Sequence, residues 1–84
     1  MAYSVSIKQS AAKQLEKLAG DDQQRIIAAI EQLKTYPSAG SVLKGEFSGL
    51  RRMRVGAYRV VYEVQNQQLV VLVIRIGHRR EVYR

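Results

Sequence analysis

The chain has 84 residues, one small domain spanning 1–84, and a chain of this length buries only about 60–65% of the surface its unfolded form exposes. Its 46% apolar content reads as globular rather than disordered, while zero cysteines and a single histidine exclude a disulfide framework and a thiolate or His-cluster metal site, so chemistry without metal or cofactor is expected. A formal charge of +7 predicts a polyanionic partner, with nucleic acid ahead of a membrane surface because no basic amphipathic helix is visible.

The N-terminus has no basic leader before an apolar stretch, which predicts no secretory signal and a cytoplasmic location. Tyr3, Val5 and Ile7 alternate with Ser4, Ser6 and Lys8, the period of a half-buried strand. Ser10 offers a helix N-cap, and Ala11, Ala12, Leu15, Leu18 and Ala19 then follow at helical spacing. Gly20 is expected to close that helix in the left-handed conformation. Asp21 or Asp22 would cap a second helix with the stripe Ile26, Ile27, Ile30 and Leu33, and Pro37 would stop it. The segment from Pro37 to Gly49 has no sustained period and reads as a loop. Three strands follow, Leu50–Val55, Tyr58–Val64 and Leu69–Ile76. Gly56-Ala57 suits a two-residue hairpin, and Asn66 marks the next turn. The continuous apolar run Leu69 to Ile74 predicts a central strand covered on both faces, and no run is near the ~18 residues that span a bilayer. The order β-α-α-β-β-β predicts an α+β domain, a helical hairpin packed on one face of a mainly antiparallel sheet.

The charge is segregated. Residues 1–43 carry five cations against four acids, whereas 44–84 carry Lys44 and eight arginines against Glu46, Glu63 and Glu81. Arginine's planar fork grips phosphate bidentately and stacks on bases, which lysine's ammonium cannot do. Strand alternation puts Met53 and Val55 on one face, with Tyr58, Val60, Tyr62 and Val64, and puts Arg52, Arg54 and Arg59 on the other. Arg79, Arg80 and Tyr83 follow the last strand and can fold back over that open face. Fixed guanidinium groups can neutralise the charge that develops in phosphoryl transfer, and RNA supplies its own 2′-hydroxyl nucleophile.

Three blocks carry a resemblance: Leu43-Lys44-Gly45, the stretch Leu50 to Val64 with its core Gly56-Ala57-Tyr58-Arg59-Val60-Val61-Tyr62, and Ile76-Gly77-His78-Arg79-Arg80-Glu81-Val82-Tyr83. Together they resemble the RelE toxins of the RelE/ParE toxin–antitoxin superfamily, and the terminal Glu81-Val82-Tyr83 favours the RelE branch. The resemblance implies a ribosome-dependent mRNA endonuclease that cuts the A-site codon by 2′-hydroxyl attack, leaving a cyclic phosphate. It implies as partners a cognate antitoxin, the ribosome with its 16S rRNA, and mRNA. It also implies roles. Arg52 and Arg54 match two basic positions, Arg59 would hold the scissile phosphate, Arg79 would stabilise charge or assist the leaving oxygen, and Tyr83 would stack on the target nucleotide. Relatives carry a lysine, proposed as general base, where this chain has Arg54. A guanidinium with a pKa above about 12 is a poor proton acceptor. Either alignment and electrostatics dominate, or another group such as Tyr83 accepts the proton once neighbouring arginines lower its pKa.

The remaining polar residues carry plainer expectations. His78 reads as a phosphate-contacting side chain, with general acid as its second role. Lys44, Arg80 and Arg84 read as RNA contacts, and Glu46 as a solvated loop residue rather than a base. Tyr58 and Tyr62 are assigned to the core, Arg51 to a sheet edge, and Arg75 to a structural role within reach of Glu63. Two readings compete with the nuclease: a ParE-like inhibitor of DNA gyrase and a catalytically inactive RNA-binding relative. The combination of Arg59, Arg79 and Tyr83 favours the nuclease, because a protein-binding role would not require all three.

Overall fold

The computed structural model describes residues 2–43 and 49–78; Lys44, Glu46, Arg79, Arg80, Tyr83 and Arg84 lie outside the described residues. Among the described residues seven elements follow in chain order: β1 Ser4–Ile7, α1 Gln9–Glu16, α2 Gly20–Gln32, β2 Ser41–Val42, β3 Arg51–Val55, β4 Tyr58–Gln65 and β5 Val70–His78. One sheet runs in the order β1-β5-β4-β3-β2, antiparallel throughout except where β1 pairs parallel with β5. The expected α+β arrangement is present, with one addition. The two-residue β2 lies inside the segment read as loop, because two residues are too few to show a period.

Both helices cover the same sheet face. Ala11 and Leu15 of α1, with Ile26 and Ile30 of α2 and Leu33 just beyond it, form one buried cluster with Val60, Tyr62, Val71, Val73 and Ile76. The i, i+4 pairs set each stripe, whereas Ile27, one position off it, stays 43% exposed. The helix ends differ from expectation. The last turn of α1 closes through Lys17 N–H to Gln14 O and Leu18 N–H to Leu15 O, so no left-handed residue is needed. Gly20 instead begins α2, after an extended Ala19. Ser10 lies inside α1, and Asp21 and Asp22 lie inside the first turn of α2, where their charges complement the helix dipole. Pro37 falls beyond α2, which ends at Gln32. Gln23 Nε2 donates to Leu15 O at 3.1 Å and ties the two helices together.

The β3–β4 hairpin has the two-residue connection the sequence requires. Val55 pairs with Tyr58, and Gly56 takes a φ of +60°, which is open to glycine without steric penalty. The next turn differs by one residue. Leu69 has a φ of +55° and ends the turn, and the strand begins at Val70. That conformation costs a branched residue about 1–2 kcal/mol. It is held by Leu69 N–H to Asn66 O and by Ser4 N–H to Leu69 O.

β5 is hydrogen-bonded on both edges but covered on one face only. Val71 and Val73 are buried, while Val70, Leu72 and Ile74 are half-buried, which corrects the expectation of two covered faces. A register shift then breaks its alternation: Val61 pairs with Arg75, yet Tyr62 pairs with Val73, so Ile74 is an extra residue. The bulge lets Ile76 rejoin the core and turns Arg75 to the face away from the helices.

Tyr62 anchors the segment after α2. Its ring is fully buried, its hydroxyl donates to Pro37 O at 2.9 Å, and the same oxygen accepts from Gly40 N–H at 2.9 Å. Arg51, its partner across β3–β4, donates through Nη1 to Gly40 O at 2.8 Å. Burial pushes the Tyr62 pKa up, opposed by the Gly40 N–H and by the Arg51 charge. Tyr62→Phe leaves a backbone donor and an acceptor unpaired, so a loss of about 2 kcal/mol is expected in denaturant unfolding. Because the folded pKa lies above the unfolded one, folding stability falls as pH rises beyond about 10, where the unfolded phenol ionises first. The Phe variant should show a smaller alkaline loss; an unchanged midpoint and pH profile would remove the hydroxyl from the anchor.

Candidate nucleic-acid interface

The face of the sheet opposite the helices collects arginines in two adjacent rows. In one row Arg52 of β3, Val61 of β4 and Arg75 of β5 stand side by side; in the next stand Arg54, Arg59 and Gly77. Residues directly opposite in an antiparallel pair have Cβ atoms about 4.5–5.5 Å apart, so Arg54 and Arg59 are like charges in direct apposition. Among the described residues no acidic residue stands in either row. Val61, between Arg52 and Arg75 in the row, is only 4% exposed despite facing away from the helices. Arg52, Arg59 and Arg75 are half-buried and Arg54 is exposed. The Arg59 Nε is buried, which fixes the guanidinium close to the sheet.

At the edge of this face β2 begins only at Ser41, opposite Arg52, and a cleft of about 270 Å³ opens alongside β3. Ala39, Gly40, Ser41, Arg52, Met53 and Arg54 line it, so it is walled by the Tyr62-anchored segment and supplied with two guanidinium groups.

Of the expected site residues, Arg52, Arg54 and Arg59 are brought together. His78 is not among them. It pairs with Tyr58 on the helix-covered side, the two rings meeting edge to face with centroids 5.9 Å apart. With Gln14, Lys17 and Leu18 it lines a hollow at the end of α1. Lys44, Arg79, Arg80 and Tyr83 are outside the described residues. Arg75, assigned from sequence to structure, joins the arginine face through the bulge, and the sequence signal was the broken alternation Val71, Val73, Ile76. Among the described residues no cluster of His, Cys, Asp and Glu could hold a metal ion, and no helix is long and apolar enough to cross a membrane.

Comparison with known proteins places this geometry. The chain is 31% identical over 90 residues to the toxin RelG of Mycobacterium tuberculosis, covering 100% of this chain and 99% of that protein. In structure it is similar to the toxin–antitoxin complex RelBE2 of M. tuberculosis, with a TM-score of 0.87 and 27% identity over 94% of this chain and 100% of the other. It is also similar to a mutant of the E. coli toxin RelE in its free state, with a TM-score of 0.79 and 26% identity over 93% of this chain and 84% of the other. The model of the family described as the ParE toxin of type II toxin–antitoxin systems matches residues 5–83. With its helical hairpin on one face of the sheet and its arginines on the other, the chain belongs to that family, as a RelE-type toxin of the RelE/ParE superfamily.

Proposed function

We propose that this toxin is a ribosome-dependent, metal-independent endoribonuclease that cuts mRNA in the A-site codon and so stops translation. The observation that carries the reading is the apposition of Arg54 and Arg59, flanked by Arg52 and Arg75, on one face of the sheet. Positive charge concentrated on one face of the sheet favours a polyanionic partner there. RNA brings the nucleophile, so the protein's task is alignment and charge balance. Arg59 holds the scissile phosphate, Arg52 and Arg54 neutralise the strand along β3, and Arg79 stabilises the departing oxygen. The 2′-oxygen bonds to phosphorus as the 5′-oxygen leaves, giving a 2′,3′-cyclic phosphate and a free 5′-hydroxyl. Tyr83 orients the target base, and Lys44 and Arg80 contact the surrounding RNA. With arginine at position 54 the rate rests on electrostatics more than on a strong base. By analogy with the RelBE2 complex, a cognate antitoxin restrains the toxin, its acidic or amphipathic segment covering the basic face.

The test is cleavage of mRNA on programmed ribosomes with mapped product ends. Cuts within the A-site codon that end in cyclic phosphate, and that disappear when ribosomes are omitted, are expected. A folded protein that leaves mRNA intact would refute the reading. Inhibition of gyrase supercoiling by that same protein would instead support the ParE-like alternative, which the matched family favours.

A further inference from the structure

The most exposed large apolar side chain among the described residues is Tyr36, at 67% exposure, and it stands beside the arginine cleft. A second hollow, of about 420 Å³, is lined by Thr35, Tyr36, Pro37, Ser38 and Ala39. Ala39 lines both hollows, so the path along Arg52 and Arg54 continues over Ala39 to the Tyr36 ring. The two are close: Ala39 N–H donates to Tyr36 O at 3.1 Å, which closes a turn with Cα atoms within about 7 Å of each other.

The segment that carries this ring is held from several sides. Tyr36 N–H donates to Gln32 O at 2.9 Å, Tyr62 grips Pro37 and Gly40, and Arg51 Nη1 reaches both Gly40 O and Ser38 O. The backbone on both sides of the exposed ring is therefore fixed in place. An aromatic side chain that is uncovered, pre-positioned and adjacent to a row of guanidinium groups has the composition of a single-strand binding groove, in which cations follow the phosphates and a ring takes the base. Little ordering entropy remains to be lost when a base arrives, because the turn is already set.

We propose that Tyr36 is a base-stacking platform for the mRNA strand where it leaves the arginine face over Ala39. This deepens the RNA reading above and rests on it. It extends the interface beyond the sheet to the turn after α2, at a residue that contacts RNA without touching the reacting phosphate.

The experiment is titration of a short single-stranded RNA, 2′-O-methylated so that it cannot be cut, followed by fluorescence anisotropy across a range of salt. Tyr36→Ala should weaken binding roughly five- to a hundredfold. Its logarithmic salt dependence should stay that of the wild type, because no phosphate contact is removed, whereas Arg52→Ala should reduce the slope by about 0.7. Tyr36→Phe should restore binding. The chain has no tryptophan, so Tyr36→Trp introduces a single reporter whose emission should be quenched on stacking. Wild-type binding retained in Tyr36→Ala overturns the platform and leaves the RNA reading standing. Loss of ribosome or antitoxin binding with oligonucleotide binding unchanged also overturns it, and assigns the ring to rRNA or to a protein. Absence of oligonucleotide binding by the wild type overturns the platform, while cleavage on programmed ribosomes decides the RNA reading separately. Circular dichroism should show the variants folded, as expected for a side chain this exposed.

Discussion

Arg59→Ala is expected to lower the single-turnover rate of mRNA cleavage about 10²- to 10³-fold while leaving the toxin folded. The first half follows from charge. Removing one fixed group that stabilises transition-state charge raises a barrier by about 2.7–4 kcal/mol. Arg59 is placed for that role: it lies mid-row between Arg54 and Gly77, with its Nε buried and its backbone paired on both edges. The second half follows from the same geometry. The Arg59 side chain lies on the face away from the helices and outside the buried cluster, so truncating it leaves the core intact. Arg59→Lys keeps the charge and loses the planar fork, and should fall between the two. A folded, fully active Arg59→Ala would remove the residue from the mechanism. Lower activity accompanied by loss of the fold would mean that Arg59 supports the sheet rather than the phosphate.

Where the chain's own periodicity decides the structure, the sequence was legible. Alternation through Met53–Val55 and Tyr58–Val64 separates apolar from arginine faces, and the observed registers keep that separation. Gly56-Ala57 specifies its hairpin because positive φ is a local steric matter. What escaped depended on contacts distant in sequence. Arg75 faces the arginines only because Ile74 is bulged out against β4, and strict alternation from Val71 and Val73 would have pointed it at the helices. The same shift decides that Gly77 lies on the arginine face and that His78, which pairs with Tyr58, lies on the other. Gly20 read as a helix stop because glycine after an apolar stripe usually is one. The choice went instead to backbone bonds from Lys17 and Leu18 that close α1 without it. Nor does the sequence alone indicate that Tyr62, correctly assigned to the core, also carries the hydroxyl that anchors residues 37–40 from β4.

That anchor links fold to function, because it sets the wall of the cleft and the place of Tyr36. It fails most completely at Gly40. The residue does not have a positive φ, so its need for glycine is one of space rather than conformation. A Cβ there would collide with the Arg52 carbonyl oxygen and lie 2.7 Å from the Tyr62 hydroxyl and 2.9 Å from the Arg52 carbonyl carbon. Two of those atoms are backbone of a paired strand and cannot move aside cheaply. The turn must retreat instead, breaking the Tyr62 and Arg51 bonds as it goes. Gly40→Ala should therefore cost about 2–4 kcal/mol, combining overpacking with lost hydrogen bonds, and lower the melting temperature by roughly 10–25 °C. Adding Tyr62→Phe to it should cost well below the sum of the single effects, since the bonds that Phe removes are already broken. RNA binding by Gly40→Ala, measured well below its melting temperature, should fall at least as far as in Tyr36→Ala, because the ring and the cleft wall move together. A Gly40→Ala protein that melts with the wild type would mean that the turn can shift without penalty. The rigid platform beside the arginines would then have to be abandoned.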